Sequence, residues 1–140
     1  MNPRRVIGIA LLLAGSITAG AAVAQSDKDA QAAAGPVMQQ LEAFRRDDYD
    51  TAYTFASAKV RQIFDRRAFE QMVKRGYPEI ARSTFAVVAE CQVTRDGHVF
   101  LRVKVRGANG NSVEAVYDMI WEGGSWKING VAARPDPGFV

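Results

Sequence analysis

One cysteine, Cys91, and one histidine, His98, are the only thiol and imidazole groups among 140 residues. Tetrahedral metal centres draw their ligands from Cys, His and carboxylates at short spacings. No such grouping is present, so neither a metal nor any other cofactor is expected. A lone cysteine excludes an internal disulfide and leaves stability to packing. Hydrolase triads need a histidine held by a third group beside a nucleophile. His98 borders a turn on a charged strand face and reads as a solvated loop histidine. Cys91 lies on an apolar strand face between Ala89 and Val93 and reads as a buried, inert thiol, with pairing between chains as the alternative. No glycine-rich phosphate loop precedes a helix.

Long apolar runs are also scarce. The only one is N-terminal, from Val6 to Ala24, preceded by Arg4 and Arg5 and ending in Ala22-Val23-Ala24. A short positive region, an apolar stretch and a small-x-small ending make an export signal, with the cut expected after Ala24. An uncleaved membrane anchor is the alternative, weakened by Gly15, Ser16, Thr18 and Gly20. The expected destination is the periplasm or the exterior. The whole chain has 18 basic and 15 acidic residues. Losing Arg4 and Arg5 leaves 16 against 15, a net charge of +1. A nearly neutral mature chain carries no electrostatic signature of a nucleic-acid or membrane-surface binder. About 115 residues remain, enough for one domain with one core.

The expected organisation is a signal peptide over 1–24, a flexible leader over 25–35, a domain over 36–134 and a tail over 135–140. Gly35-Pro36 opens the first helix, since proline suits a first helical turn, and Val37, Leu41 and Phe44 follow at helical spacing. Asp47 or Asp48 caps a second helix presenting Tyr49, Ala52, Tyr53 and Ala56. Val60, Ile63 and Phe64 suggest a further turn. Asp65 caps a third helix with Phe69, Met72 and Val73, which exits at Gly76.

After Arg82 the apolar period changes from helical to two. Phe85, Val87, Ala89, Cys91 and Val93 alternate, then Val99 to Val105, Val113 to Trp121, and Trp126 with Ile128. Three turns separate four strands, and opposed residues must share a face. Three-residue loops ending at Gly97 and Gly110 set Val93 against Val99, Cys91 against Leu101, Val105 against Val113 and Leu101 against Tyr117. A two-residue loop at Gly123-Gly124 sets Trp121 against Trp126 and Met119 against Ile128. The other face then receives Glu90 opposite Arg102, Lys104 opposite Glu114, and Asp118 opposite Asn129.

The apolar face so assigned has no ionisable group except Tyr117 and Cys91. An acid-base catalyst would need a helix carboxylate, Asp48 or Asp50, with Tyr117 as hydrogen-bond donor. Helix capping already accounts for such aspartates. The Trp121–Trp126 pair reads first as hairpin packing. Tyr77, at a helix exit before Pro78, is suited to closing a cavity.

Gln40-Leu41 with Ala43-Phe44, Tyr53 with Phe55-Ala56-Ser57, Phe69 to Pro78, and Tyr117 to Val131 together resemble the bacterial family called domain of unknown function 4864. The likeness runs from about Val37 to Val131. The resemblance brings no activity to transfer. Helices followed by a curved sheet are similar to the nuclear-transport-factor-2-like cone, a fold shared with ketosteroid isomerase and related dehydratases. Their pockets hold an Asp or His that this apolar face lacks.

The expected fold is therefore α+β: three N-terminal helical segments on a curved four-stranded antiparallel meander. The leading functional expectation is an exported, non-catalytic module for a small apolar ligand or a protein partner, with Tyr53, Met72, Tyr77, Tyr117, Met119 and Trp126 lining a pocket. One alternative is a small isomerase or dehydratase using Asp48 or Asp50 with Tyr117. A second is a structural homodimer joined through Val88, Phe100, Val116 and Ile120.

Overall fold

A computed structural model describes residues 27–138. The expected export signal over 1–24 lies outside them. The described residues run through five helices and then four strands: α1 (27–45), α2 (Tyr49–Thr54), α3 (Ala58–Ile63), α4 (Arg66–Gly76), α5 (Pro78–Ala81), β1 (Ser83–Val93), β2 (Val99–Gly107), β3 (Ser112–Glu122) and β4 (Ser125–Pro135). The strands form one open sheet in sequence order, each antiparallel to the next.

Five helices replace the three expected, and each difference has a local cause. Residues 27–35, expected to be a flexible leader, are already helical. Their alanines favour helix intrinsically, and Ala33 is fully buried, extending the stripe Val37, Gln40, Leu41 and Phe44 by one turn. Packing of that stripe outweighs the hydrogen bond that Pro36 cannot donate from within the helix. Ser57 starts α3 by accepting the Val60 N–H at 3.3 Å. Pro78 does not end structure; it occupies the first turn of α5.

The other starts follow the expected capping chemistry. Asp48 Oδ1 accepts the Thr51 N–H at 3.1 Å, and Asp65 Oδ1 accepts the Ala68 N–H at 2.8 Å. Along α4, Glu70 holds Arg66 on one side and Lys74 on the other, at 2.9 and 2.6 Å. Both cations also lie over the buried Tyr49 ring, at 5.6 and 5.0 Å from its centroid.

Helices cover one face of the sheet, and the core lies between. Val99, Leu101, Val103, Val105, Ala115, Tyr117 and Met119 meet Val37, Leu41, Phe44, Tyr49, Phe69 and Val73 there. The short helix α5 docks on β2 at Gly107, where a Cβ would stand 2.8 Å from the Glu79 Cα. Beside β4, the chain at Phe55–Ser57 makes one parallel bridge: Ile128 N–H donates to Phe55 O at 2.8 Å, and Ser57 N–H to Ile128 O at 2.9 Å.

The sheet register matches the turn argument at every hairpin. Val93 faces Val99, Leu101 faces Tyr117, Val105 faces Val113, and Trp121 faces Trp126. Gly97 and Gly110 have φ of 87° and 82°, and Gly123 and Gly124 are also left-handed, so the turns demand the residue they have.

Two bulges displace side chains from the expected faces. An irregularity between Val88 and Glu90 leaves Ala89 without a ladder partner, and parity inverts before it. An extra residue in one strand moves every later side chain to the other face. Phe85 and Val87 therefore point outward beside Arg106 and Lys104 and are 60% and 44% exposed, while Ala86 and Val88 turn toward the core. Val88 is consequently not on the face assigned to a dimer. In β4, Asn129 is the extra residue, so Asp118 faces Gly130. Cys91 does face Leu101 as expected, but it is exposed on the edge strand and not buried.

Candidate functional site

Between α3, α4 and α5 and the middle of β3 and β4 the packing leaves a cavity of about 320 Å³. Protein interiors close-pack, with few voids larger than a water molecule. A space of this volume is at the small end of ligand pockets. Its wall is built by helical spacing on one side, from Val60, Ile63 and Phe64, then Phe69, Met72 and Val73. Tyr77 and Ile80 continue it, and Tyr117, Ile128 and Val131 form the sheet side. Lys59 is the one charged residue in the lining.

Of the six residues expected to line a pocket, the fold brings Met72, Tyr77 and Tyr117 to this wall. Tyr53 instead packs edge-on against Phe69, and its hydroxyl donates to Phe64 O at 2.6 Å. Met119 is fully buried core. Trp126 packs on the core and crosses Trp121 edge-to-face, 5.7 Å between centroids. The hairpin reading of that pair describes its geometry.

The two aspartates considered as bases are elsewhere. Asp48 caps α2, and hydrogen bonds from the Thr51 side chain and backbone hold its carboxyl below the ordinary carboxylate range. Asp50 is 87% exposed and pairs with Arg66 at 2.6 Å. Neither reaches the cavity wall.

Polar groups on the wall are nearly all engaged. Gln40 Nε2 donates to Ala52 O at 3.1 Å, and the Tyr77 hydroxyl donates to Val131 O at 3.2 Å. Asn129 accepts from Ser57 Oγ at 3.0 Å and donates to Asp118 Oδ2 at 3.1 Å. Tyr117 is the exception. Its residue is 1% exposed, and its hydroxyl is the only buried side-chain polar atom without a partner among the described residues. Burial, reinforced by the neighbouring Tyr77, pushes its ionisation far above the ordinary tyrosine range. It is a neutral O–H donor. An unpaired buried hydroxyl costs about 1–3 kcal/mol, so the Tyr117 hydroxyl is an uncompensated polar group within a residue of the wall.

A second polar assembly occupies the outer face. His98 Nδ1 lies 2.6 Å from Asp118 Oδ1, and its ring stacks on Phe100. A carboxylate only accepts, so Nδ1 carries the proton. The bond to Asp118 raises the histidine pKa. His98 is thus an anchored group and not the solvated loop residue expected. Asp118 continues through Asn129 to Ser57, tying the β1–β2 turn to the start of α3.

Sequence reasoning omitted Gln40, Lys59, Ile80 and Asn129 from the wall. Val60, Ile63 and Phe64 were visible as an apolar helical triplet. Asn129 had no such signal, because the bulge that turns it is invisible in an alternating pattern.

The family model described as a domain of unknown function, DUF4864, matches residues 25–140. Comparison with curated proteins and with solved structures gives no match.

Proposed function

The chain belongs to the DUF4864 family, and because that description assigns no activity we propose its function from the geometry: it binds one small apolar ligand in the cavity between helices and sheet. The observation that carries this reading is an apolar space of about 320 Å³ walled by members of the hydrophobic core, among them Phe44, Phe69, Val73 and Tyr117. Helices over a curved sheet, as in the nuclear-transport-factor-2-like cone, place such a space where a ligand is enclosed on several sides. The acid-base alternative has no carboxylate on the wall to serve it.

Arg4, Arg5 and the apolar run to Ala24 support export, and a binder outside the cytoplasm suits ligands that dissolve poorly in water. Protein recovered from an exporting host should begin at Gln25 by intact mass; a retained Met1 excludes cleavage.

Titration with the neutral fluorophore N-phenyl-1-naphthylamine tests binding. Saturable one-to-one enhancement is expected, and Met72→Trp should abolish it by filling the cavity without lowering Tm. Enhancement that never saturates, or that survives Met72→Trp, removes the cavity as the site.

A further inference from the structure

Charge is spread unevenly along the chain. Residues 59–75, within α3, α4 and the turn between them, hold six Lys and Arg against two carboxylates, a net +4. The rest of the chain from Gln25 onward holds ten against thirteen, a net −3. A mature net charge near zero therefore conceals a basic region on consecutive helices. Both carboxylates of that region are already committed: Asp65 caps α4, and Glu70 holds Arg66 and Lys74. Lys59, Arg61, Arg67 and Arg75 remain, exposed and in no ion pair among the described residues. On α4, Arg67, Gln71 and Arg75 recur every four residues opposite the buried Phe69 and Val73, which makes theirs the outer face. No residue of α3 is buried, and its Ile63 is 64% exposed. Lys59 and Ile63, one helical turn apart, are the only exposed residues of the cavity lining and so stand at its mouth.

We infer that the α3–α4 face docks on an anionic lipid bilayer, with these four cations among the headgroups and Ile63 at the hydrocarbon boundary. Charge complementarity sets the sign of the partner, since four uncompensated cations on neighbouring helices attract an extended anionic surface. The exposed aliphatic residue selects a bilayer over a soluble polyanion. A membrane interface takes up an apolar side chain beside long basic ones whose charged ends stay at the headgroups. Docking in this way turns the cavity mouth toward the lipid. It does not depend on the binding function proposed above.

Sedimentation with sucrose-loaded vesicles tests the docking, using protein recovered from an exporting host. Vesicles of equal parts phosphatidylglycerol and phosphatidylcholine should retain the wild type far better than phosphatidylcholine alone. One basic group beside an anionic surface is worth about a fivefold change in partitioning. Arg67→Gln with Arg75→Gln should therefore weaken retention about 25-fold, and Lys59→Gln with Arg61→Gln should do the same. Arg67→Lys with Arg75→Lys should bind as the wild type does, and Ile63→Ser should lose about tenfold. Arg95→Gln with Arg106→Gln removes two exposed cations of the β1–β2 hairpin and should leave retention nearly unchanged. All forms carry the same N-terminus, so differences among them read the substituted side chains. An equal loss from the hairpin pair makes the attraction a property of total charge and overturns the face. Unchanged retention of Ile63→Ser overturns the insertion. Equal retention on the two kinds of vesicle, or none on either, overturns the lipid assignment. Should poly-L-glutamate alone bind, and lose binding through the same substitutions, the face belongs to an acidic protein instead. None of these outcomes touches the cavity, which N-phenyl-1-naphthylamine reads by itself.

Discussion

Glu114 and Tyr117 stand three residues apart on β3, on opposite faces of the sheet, and both are almost completely buried. Their surroundings are opposite in kind. Glu114 has an arginine for each oxygen: Arg134 on Oε1 at 2.8 Å and Arg102 on Oε2 at 3.1 Å. Arg102 extends the network to Glu90 at 2.6 Å. The Tyr117 hydroxyl has no hydrogen-bond partner among the described residues. A carboxylate is far costlier to bury unpaired than a hydroxyl, and the fold supplies partners to the group that requires them. The residue whose hydroxyl it leaves unpaired is also one of those that line the cavity. Two buried polar groups on one strand are thus told apart by counting their hydrogen bonds.

Three substitutions break or sharpen this contrast. Glu114→Gln should have the largest effect, a fall of several degrees in Tm near neutral pH, because Arg134 loses the carboxylate it pairs with and Arg102 keeps only Glu90. The arginines hold the Glu114 pKa below its ordinary value, Arg134 being the stronger cause. A depressed carboxylate contributes stability above its unfolded pKa and loses it as pH falls through the folded one. The Tm gap between wild type and Glu114→Gln should therefore begin to narrow as pH falls below about 4.3, the unfolded value, and close once pH is below the depressed folded one. A gap that persists in acid assigns the loss to packing.

His98→Gln comes next, and its pH dependence has the opposite sign. The Asp118 bond raises the His98 pKa, so its contribution is complete below the unfolded value of about 6.5 and disappears as pH rises through the folded one. Thermal melts should show a larger deficit for His98→Gln at pH 5.5 than at pH 8.5. Equal deficits at both would mean that the imidazole acts by stacking on Phe100 alone. Smallest is Tyr117→Phe. Removing a hydroxyl that bonds to nothing should leave stability unchanged or raise it by about 1 kcal/mol, measured by urea unfolding. A loss of comparable size would show that the hydroxyl is hydrogen-bonded in solution.

The same contrast marks what the sequence could convey. Turn chemistry specified the hairpins, because glycines at 97, 110, 123 and 124 admit left-handed backbone and only one loop length kept each pair on a common face. From that register, Leu101 opposite Tyr117 and Glu90 opposite Arg102 followed. The inversion before Ala89 did not, since Phe85, Val87 and Ala89 alternate as regularly as a straight strand would. Residues 27–35 read as a leader because small residues show no apolar stripe, and only packing against the sheet reveals the use of Ala33. The cavity was legible in Met72, Tyr77 and Tyr117. Its vacancy was not, because an unfilled space depends on the difference between volumes and no single residue encodes it.

Gly107 bears on how such a cavity changes over evolutionary time. The α5 backbone rests where any side chain at 107 would project, and Ile80 of that helix forms part of the cavity wall. If the cavity binds a ligand as proposed above, selection on ligand size has a handle outside the lining. A larger residue at 107 would lever α5 away from β2 and enlarge the chamber with every wall residue intact. Relatives that keep the same lining but differ at this position would be expected to accommodate ligands of different bulk.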